Sequence, residues 1–284
     1  MDNIPITDTH FHIWDTSQLT LEWVQAFSSL KQKYTLKDYQ AATKNQFFTK
    51  SCYAEVDVIK SDLTKESDYI MEVCHSDQNR VEGAILGCDL ASENFEAYIK
   101  KYIGTGYVKS VRHNFFACDP DVINSDIFVK NTKLLGRLNI LCDLTMHPNF
   151  MHHGLKLVQK CLETTFVVDH CGFFPLTGEE KLMTEWYQGI SNYAVEENII
   201  CKVSEFCFMA PDYRWKIADV MPVIQHCVDS FGEDRIVYGS NWPVCEITGT
   251  VDLWFDALKA LFKDKPESFW HKLLHRNAEI YYKI

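Results

Sequence analysis

Short runs of apolar and β-branched residues recur along the whole chain at fairly regular intervals. Eight such runs occupy residues 6–14, 51–58, 81–89, 107–115, 138–147, 164–172, 199–206 and 235–242. Segments with helical periodicity separate them. One has apolar residues at the i, i+3, i+4, i+7 and i+8 positions of a single helix face: Phe95, Tyr98, Ile99, Tyr102 and Ile103. Alternation of strands and helices predicts an α/β fold whose parallel strands are joined by crossover helices.

The number of units favours a closed (β/α)8 TIM barrel over an open, doubly wound sheet. The first strand continues into HFHIWD at residues 10–15, without the glycine-rich turn that binds a dinucleotide phosphate. Two more helices, near 251–262 and 267–282, follow the eighth strand. Barrels of about 250 residues commonly fold as one unit, so we expect residues 1–284 to form a single domain.

The first connection, about residues 15–49, is long and aromatic. Trp14, at the end of the first strand, precedes it, and Trp23 and Phe27 lie within it. Two interpretations are equally compatible with this composition. The segment covers the mouth of the barrel as a lid, or it packs on the surface without a functional role.

Composition and charge restrict the classes of partner. The chain has no apolar run of the roughly 20 residues that a membrane helix needs, so we expect a cytoplasmic protein without membrane contact. A net charge of −11 without a basic cluster argues against nucleic acid and leaves a small-molecule substrate. The 11 cysteines lack CxxC spacing, which predicts reduced and mostly buried thiols. An oligomer is compatible with these data.

The first strand carries the main candidate site. Regular alternation would place Asp8, His10 and His12 on one face. At the end of a barrel strand, two converging imidazoles can bind a divalent metal or transfer protons to and from a substrate. The alternative is a pair of core histidines that bond to their neighbours. Their position at a strand end favours the functional interpretation.

Polar residues at the other strand ends predict a shared pocket, because ionisable groups inside a barrel are costly to bury without a purpose. In VVDHCG, His170 shares a face with Val168 and Phe166, so regular alternation directs it inward if Asp169 points outward, the arrangement that we expect. Arg112 and Lys202 have two equal interpretations: they hold a substrate oxygen, or they neutralise a buried carboxylate such as Glu55. The expected substrate contacts are Trp14, Glu55, Arg112, His147, Lys202 and Trp242.

Five motifs in order along the chain carry a family resemblance: DTHFHIWD at 8–15, VVDHCG at 167–172, CKVSE at 201–205, YGSNWPV at 238–244 and RNAEIYY at 276–282. Together they resemble the amidohydrolase-related family of sugar-acid lactonases and 2-pyrone-4,6-dicarboxylate lactonase. The resemblance implies a TIM barrel in which water attacks the carbonyl of a lactone, either a sugar-derived aldonolactone such as L-fuconolactone or a dicarboxylate lactone. It also implies that His10, His12 and His170 are catalytic. In members of the family that use a divalent ion, the corresponding histidines would bind that ion. Imidazole ligands suit zinc.

Two positions depart from the family pattern. Asn241 stands where the family usually has an aspartate, and Glu205 stands where related sequences often have glycine. A neutral amide can orient water but cannot accept its proton. We therefore expect weak or absent metal binding, and we include Asn241 and Glu205 among the catalytic candidates, with Glu205 as a substitute carboxylate.

Two other functions fit the same resemblance. Related barrels with a similar histidine pair use a metal to remove CO₂ from aromatic acids. Loss of the aspartate at position 241 is also compatible with a barrel that binds a sugar acid without turning it over. Release of CO₂ identifies the first alternative, and binding without product identifies the second.

Overall fold

A computed structural model describes residues 3–76, 80–116 and 118–284, and its centre is one sheet of eight parallel strands. Each strand pairs with the next along the chain, so the spatial order equals the sequence order. The strands are β1 Ile6–Phe11, β2 Phe48–Ala54, β3 Val81–Cys88, β4 Val108–His113, β5 Leu141–Leu144, β6 Phe166–Val168, β7 Ile199–Ser204 and β8 Ile236–Gly239.

Backbone contacts just beyond β8 join it to β1. The amide of Asn241 donates to the His10 carbonyl oxygen at 2.8 Å, and the amide of His12 donates to the Trp242 carbonyl oxygen at 2.7 Å. These bonds bring the first and last strands together at their carboxyl ends. The predicted (β/α)8 barrel is therefore confirmed.

Helices alternate with the strands and cover the outside of the barrel. The predicted apolar face of the third helix is confirmed, since Phe95, Ile99 and Tyr102 are buried. The helices are α1 Leu36–Ala42, α2 Leu63–His75, α3 Phe95–Ile103, α4 Pro120–Ile123, α5 Asp126–Arg137, α6 Met151–Lys160, α7 His170–Phe173, α8 Glu180–Val195, α9 Ile217–Phe231, α10 Val251–Leu261, α11 Glu267–His271 and α12 Asn277–Tyr282.

A small apolar cluster draws one or two residues from most strands and is closed by α12. It includes Cys52, Ile85 and Val167, packed with Tyr282. Apolar residues at this level exclude water from beneath the charged groups that lie further along the strands. The charged groups of the site therefore lie above an apolar layer that excludes water.

Two strand ends depart from the alternation that the sequence predicted. The β1–β2 register shifts between Asp8 and Phe11, so Asp8 does not share a face with the histidines. Its carboxylate instead accepts hydrogen bonds from the hydroxyls of Tyr39 and Ser240, at 2.8 and 2.6 Å. Such a shift changes the side-chain direction of every residue on one side of it.

The second departure is at β6, which has only three residues. Val167 lies in the inner cluster, so Asp169, two residues on, points inward; the prediction that it points outward is wrong. His170 also reaches the site because its φ of 52° lies in the left-handed region and ends the regular strand. Both consecutive residues therefore contribute side chains to the same end of the barrel.

The first connection packs against the barrel mouth. The Trp14 indole donates to the carbonyl oxygens of Leu30 and Gln32, at 3.2 and 3.0 Å. The Trp23 indole donates to the Val56 carbonyl oxygen at 2.8 Å. These bonds tie the segment to itself and to the end of β2. Within the described residues, none of the helices has the length and apolar character needed to span a membrane.

Candidate active site

His10, in β1, and His12, directly after it, lie side by side at the carboxyl end of the barrel. Their Nε2 atoms are 3.2 Å apart. The Nδ1 of His12 lies 2.7 Å from the Ala54 carbonyl oxygen; since that oxygen only accepts, Nδ1 carries the proton and Nε2 of the neutral ring has a lone pair. Burial, together with the nearby Arg112 charge, lowers the pKa of His12 to about 3. His12 is therefore a neutral imidazole in the free protein.

A buried charge network lies directly beneath His10. The Nζ of Lys202 is 2.7 Å from Asp143 Oδ2 and 2.8 Å from Asp169 Oδ1. Burial opposes ionisation of both Lys202 and Asp169. The paired carboxylates nevertheless hold the pKa of Lys202 well above its usual value, and Lys202 and His10 hold that of Asp169 well below its own. Lys202 and Asp169 thus form a charged pair.

The same lysine fixes the His10 ring. Its Nζ lies 3.2 Å from His10 Nδ1, and Asp169 Oδ1 lies 3.7 Å from that nitrogen. Burial and the Lys202 charge lower the pKa of His10 well below its usual range. Two neutral tautomers fit these partners. With Nδ1 accepting from Lys202, His10 directs an Nε2–H to His12; with the proton on Nδ1, facing Asp169, its Nε2 accepts from Arg112 at 3.4 Å.

Arg112, from β4, borders the cavity and is held on two sides. Its Nε and one terminal nitrogen donate to the carboxylate and the carbonyl oxygen of Glu55, and its other terminal nitrogen lies 3.4 Å from Asp169 Oδ2. The Glu55 and Asp169 carboxylates keep the pKa of Arg112 above its usual value despite burial. The sequence left open whether Arg112 contacts substrate or neutralises Glu55; in the structure it pairs with Glu55 and also faces the cavity.

His170 occupies the end of β6. Its Nδ1 lies 2.9 Å from the Glu205 carbonyl oxygen and 2.9 Å from the Ser204 hydroxyl. Burial lowers the pKa of His170 to about 3, although Asp169 opposes this. The ring centroid lies 4.4 Å from that of His10. His170 is therefore a second neutral imidazole whose Nδ1 proton is directed to the backbone.

Asn241 and Glu205 form a linked pair. Asn241 Nδ2 lies 3.1 Å from the Glu205 carbonyl oxygen and 3.3 Å from its Oε2, and Asn241 Oδ1 lies 3.3 Å from His12 Nε2. Glu205 Oε1 also accepts from the amide of Cys207 and the hydroxyl of Thr248. Burial raises the pKa of Glu205 to about 7. Glu205 lies behind Asn241 and outside the set of cavity-lining residues.

A cavity of about 350 Å³ opens above these groups. Its polar lining consists of His12, Glu55, Asp57, Arg112, Asn114, Thr145, His170 and Asn241. Its apolar lining consists of Trp23, Phe27, Val56, Phe116, Phe173, Phe208, Met209, Val244 and Ile247. The aromatic residues of the first connection therefore border the cavity, as the lid interpretation expects.

Four predicted substrate contacts lie outside the cavity lining. Lys202 is fully buried and pairs with Asp143 and Asp169, so it neutralises buried carboxylates and does not reach the substrate. Trp14 and Trp242 are almost fully buried; Trp14 bonds within the first connection, and the Trp242 indole donates to Glu246 at 2.7 Å. His147 packs behind Phe116, with ring centroids 6.3 Å apart. Alternation gives the direction of a side chain, but it does not show what packs in front of it.

Sequence reasoning missed the central carboxylates of the site. Asp169 was expected to point outward, and Asp143 was not among the site candidates; both pair with Lys202. The signal for Asp169 was a charged residue directly after three apolar ones in FVVDH. Because both faces of β6 are buried, that run could not show which face was the inner one.

The residues at the site fit a divalent ion. His10 Nε2, His12 Nε2 and Asn241 Oδ1 converge with separations of 3.2 and 3.3 Å. Ligands about 2.0–2.1 Å from a tetrahedral zinc ion are about 3.3 Å apart. His10 would then carry its proton on Nδ1, towards Asp169. His170 is close enough to His10 to contribute, since the ligand atoms of His10, Asp169 and His170 all lie within 4.8 Å of one another.

The cysteines are reduced, as predicted, and all except the half-buried Cys118 are buried. Three of them, Cys171, Cys201 and Cys227, lie within 4.8 Å of one another in the apolar layer outside β6 and β7. Burial raises the pKa of Cys171 well above its usual value. Low thiolate character and lack of access make Cys171 a poor nucleophile.

Parallel strands that deliver histidines, an arginine and carboxylates to one polar cavity form the arrangement found in (β/α)8-barrel enzymes. Comparison with known proteins defines the class further. The sequence profile of the amidohydrolase family matches residues 7–284, so the chain belongs to that family. The resemblance inferred from the five motifs is thereby confirmed.

Individual relatives are distant. The chain is 22% identical over 246 residues to L-fucono-1,5-lactonase of Burkholderia ambifaria, covering 85% of this chain and 81% of the relative. A zinc-bound amidohydrolase from Burkholderia multivorans has a TM-score of 0.89 at 17% identity, covering 98% of this chain and 99% of that one. The 2,6-dihydroxybenzoate decarboxylase from Rhizobium has a TM-score of 0.67 at 12% identity, covering 100% and 99%. The two structural matches support the fold.

Proposed function

We propose that this amidohydrolase-family protein opens a lactone by attack of water on the ring carbonyl. The observation that carries the proposal is that two neutral imidazoles, His12 and His170, border the same cavity as the guanidinium of Arg112. Ester hydrolysis needs a proton carrier and a group that stabilises negative charge on the carbonyl oxygen. The distant similarity to L-fucono-1,5-lactonase also supports hydrolysis of a lactone.

Arg112 stabilises the charge that develops on the carbonyl oxygen. Its contacts with Glu55 and Asp169 hold the guanidinium in place before substrate enters. A fixed donor loses little energy to reorganisation when charge appears during the reaction. The interaction is stronger in the tetrahedral state, where the oxygen is anionic, than with the neutral carbonyl, so it accelerates the chemical step.

The imidazoles move the proton. The attacking water forms a bond to the carbonyl carbon and gives a proton to Nε2 of His170, whose Nδ1–H is directed to the Glu205 carbonyl oxygen. When the carbon–oxygen bond of the ring breaks, the same Nε2 returns the proton to the leaving oxygen. The product is a hydroxy acid, which ionises and releases one proton.

Asn241 and His12 orient the water. The amide oxygen of Asn241 accepts one hydrogen bond of the water, and Nε2 of His12 accepts the other when His10 carries its proton on Nδ1, towards Asp169. A divalent ion bound by His10, His12 and Asn241 would lower the pKa of water and polarise a carbonyl. Lys202 and Asp169 keep His10 in place in either protonation pattern.

A screen of lactones with a pH indicator tests the proposal, because each ring opened releases one acid. We expect turnover of at least one lactone class, and we expect His12→Ala to lower kcat/KM by about 100-fold or more. His152→Ala is the matched control, since that histidine is exposed on α6. Absence of hydrolysis, with CO₂ released from an aromatic acid, would establish a decarboxylase; binding without product would establish an inactive barrel.

A further inference from the structure

The side walls of the cavity are mainly aromatic, whereas its base carries the polar groups His12, Arg112 and His170. Five aromatic side chains line the cavity, and we call them the aromatic wall: Trp23, Phe27, Phe116, Phe173 and Phe208. Adjacent members meet edge to face, with centroids 4.7 Å apart for Phe116 and Phe173 and 6.2 Å apart for Phe173 and Phe208. Trp23 and Phe27 form a second pair, with centroids 6.2 Å apart. The wall therefore consists of two apolar groups above the polar residues of the cavity.

Polar groups along the walls are already engaged. The Trp23 indole donates to the Val56 carbonyl oxygen, and Asn114 Nδ2 donates to Asp57 Oδ1 at 2.7 Å. The Thr145 hydroxyl lies 3.4 Å from the His113 carbonyl oxygen. A polyhydroxylated ring has to exchange each hydroxyl–water hydrogen bond for one with the protein, or lose binding free energy. The side walls therefore offer few free hydrogen-bonding groups to such a ring.

The charges at the cavity also disfavour an anion. Arg112 supplies a positive charge, but the carboxylates of Glu55 and Asp169 lie against it. Asp57 adds another carboxylate to the lining. A substrate carboxylate would have to be desolvated beside these groups, with a guanidinium that is already paired.

We propose that the substrate is an uncharged lactone with a hydrophobic, ring-bearing group that packs against the aromatic wall. The inference rests on the proposed lactonase function and adds the substrate class. The lactone carbonyl faces Arg112 and the two imidazoles, and the apolar group points outward between Phe208 and the side chains of the first connection. Neither a sugar lactone nor a dicarboxylate lactone matches this surface.

The first experiment compares three lactones at equal concentration: dihydrocoumarin, which is aromatic and neutral; D-glucono-1,5-lactone, which is polyhydroxylated; and 2-pyrone-4,6-dicarboxylate, which is anionic. Rates are corrected for spontaneous hydrolysis. Burial of an aromatic ring predicts a kcat/KM for dihydrocoumarin about 10–100-fold above the others. A preference for either of the others would overturn the inference and leave the lactonase proposal intact.

The second experiment does not depend on turnover. Calorimetry measures binding of 3,4-dihydro-2-quinolinone, the non-hydrolysed lactam analogue of dihydrocoumarin, and of the corresponding sugar lactam. We expect the aromatic lactam to bind at least about tenfold more tightly. If no lactone is hydrolysed but this preference holds, the function is wrong and the ligand class is right; equal or reversed affinities would refute the ligand class.

Two variants test which residues cause the preference for a neutral, aromatic ligand. Phe208→Ser should weaken binding of the aromatic lactam by about tenfold, because the ring loses its apolar contact. The control is Leu162→Ser: Leu162 is 69% exposed and precedes β6, at the opposite end of the barrel. Asp57→Asn should raise the kcat/KM for the dicarboxylate relative to that for dihydrocoumarin. Unchanged affinity in Phe208→Ser, or an unchanged ratio in Asp57→Asn, would contradict the proposed orientation or the proposed charge effect.

Discussion

The amide oxygen of Asn241 lies 3.3 Å from Nε2 of His12, and both atoms accept hydrogen bonds. Two acceptors at this distance repel each other slightly unless a donor or a cation lies near both. With His10 Nε2 only 3.2 Å from His12 Nε2, the three atoms form a ligand set in which the oxygen is neutral. The charge of this oxygen should therefore control the affinity for a metal.

Asn241→Asp should increase zinc affinity by about tenfold or more, because a carboxylate adds a full negative charge to the set. The same change places that charge 3.3 Å from Glu205 Oε2, which reduces the gain. The double variant Asn241→Asp/Glu205→Gln should bind zinc more tightly than the single variant. Competition with a chromophoric chelator measures both affinities, and Asn241→Ala is the control. Equal affinity in wild type and Asn241→Asp would show that Asn241 is not a ligand.

Glu205→Gln should lower kcat by about tenfold and leave KM within about twofold, because Glu205 acts through Asn241 rather than on substrate. Its two oxygens accept from Asn241, from the Cys207 amide and from Thr248. A glutamine has one oxygen and cannot serve both positions.

Steady-state kinetics on the best lactone, across a range of pH, measure this effect. Glu197→Gln is the control, since Glu197 is exposed on the protein surface. Wild-type kcat in Glu205→Gln would remove Glu205 from the mechanism. A large rise in KM would instead indicate that it contacts substrate.

The sequence predicted the barrel because hydrophobic periodicity and strand–helix alternation are local properties of a chain. It also predicted that His10, His12, Arg112 and Lys202 gather at one end, since parallel strands place their carboxyl ends together. Side-chain direction at strand ends could not be predicted in the same way. The left-handed φ of His170 and the register shift after Asp8 are set by tertiary contacts that a period of two does not contain.

Lys202→Met should destabilise the protein by about 3–5 kcal/mol, because it leaves buried Asp143 without its cation and Asp169 with only Arg112, 3.4 Å away. Asp143 and Asp169 both contact the ammonium group and are fully buried. Urea unfolding at pH 7 measures the loss. The double variant Lys202→Met/Asp143→Asn should recover part of it, since one uncompensated charge is removed. If both variants were as stable as wild type, the buried charge network would not contribute to folding.

The free energy of unfolding should fall as pH rises from about 5 to 8, in part because of Glu66 on α2. Its Oε1 accepts from the Tyr53 hydroxyl and the Val56 amide, each at 2.7 Å. Burial and the nearby Glu55 charge raise the pKa of Glu66 from 4.5 to about 8. The folded protein then keeps a proton that the unfolded chain loses above pH 4.5. Stability from this group is complete below that pH and disappears through pH 8.

Glu66→Gln keeps the size of the side chain and removes the titration. We expect it to match wild type near pH 5 and to be more stable at pH 9 by roughly 1–3 kcal/mol. Urea unfolding at pH 5, 7 and 9 measures the difference, in which the titration of all other groups largely cancels. Glu72→Gln, at an exposed position of α2, is the control and should follow wild type. Parallel curves for Glu66→Gln and wild type would mean that Glu66 is ionised in the folded protein at pH 7.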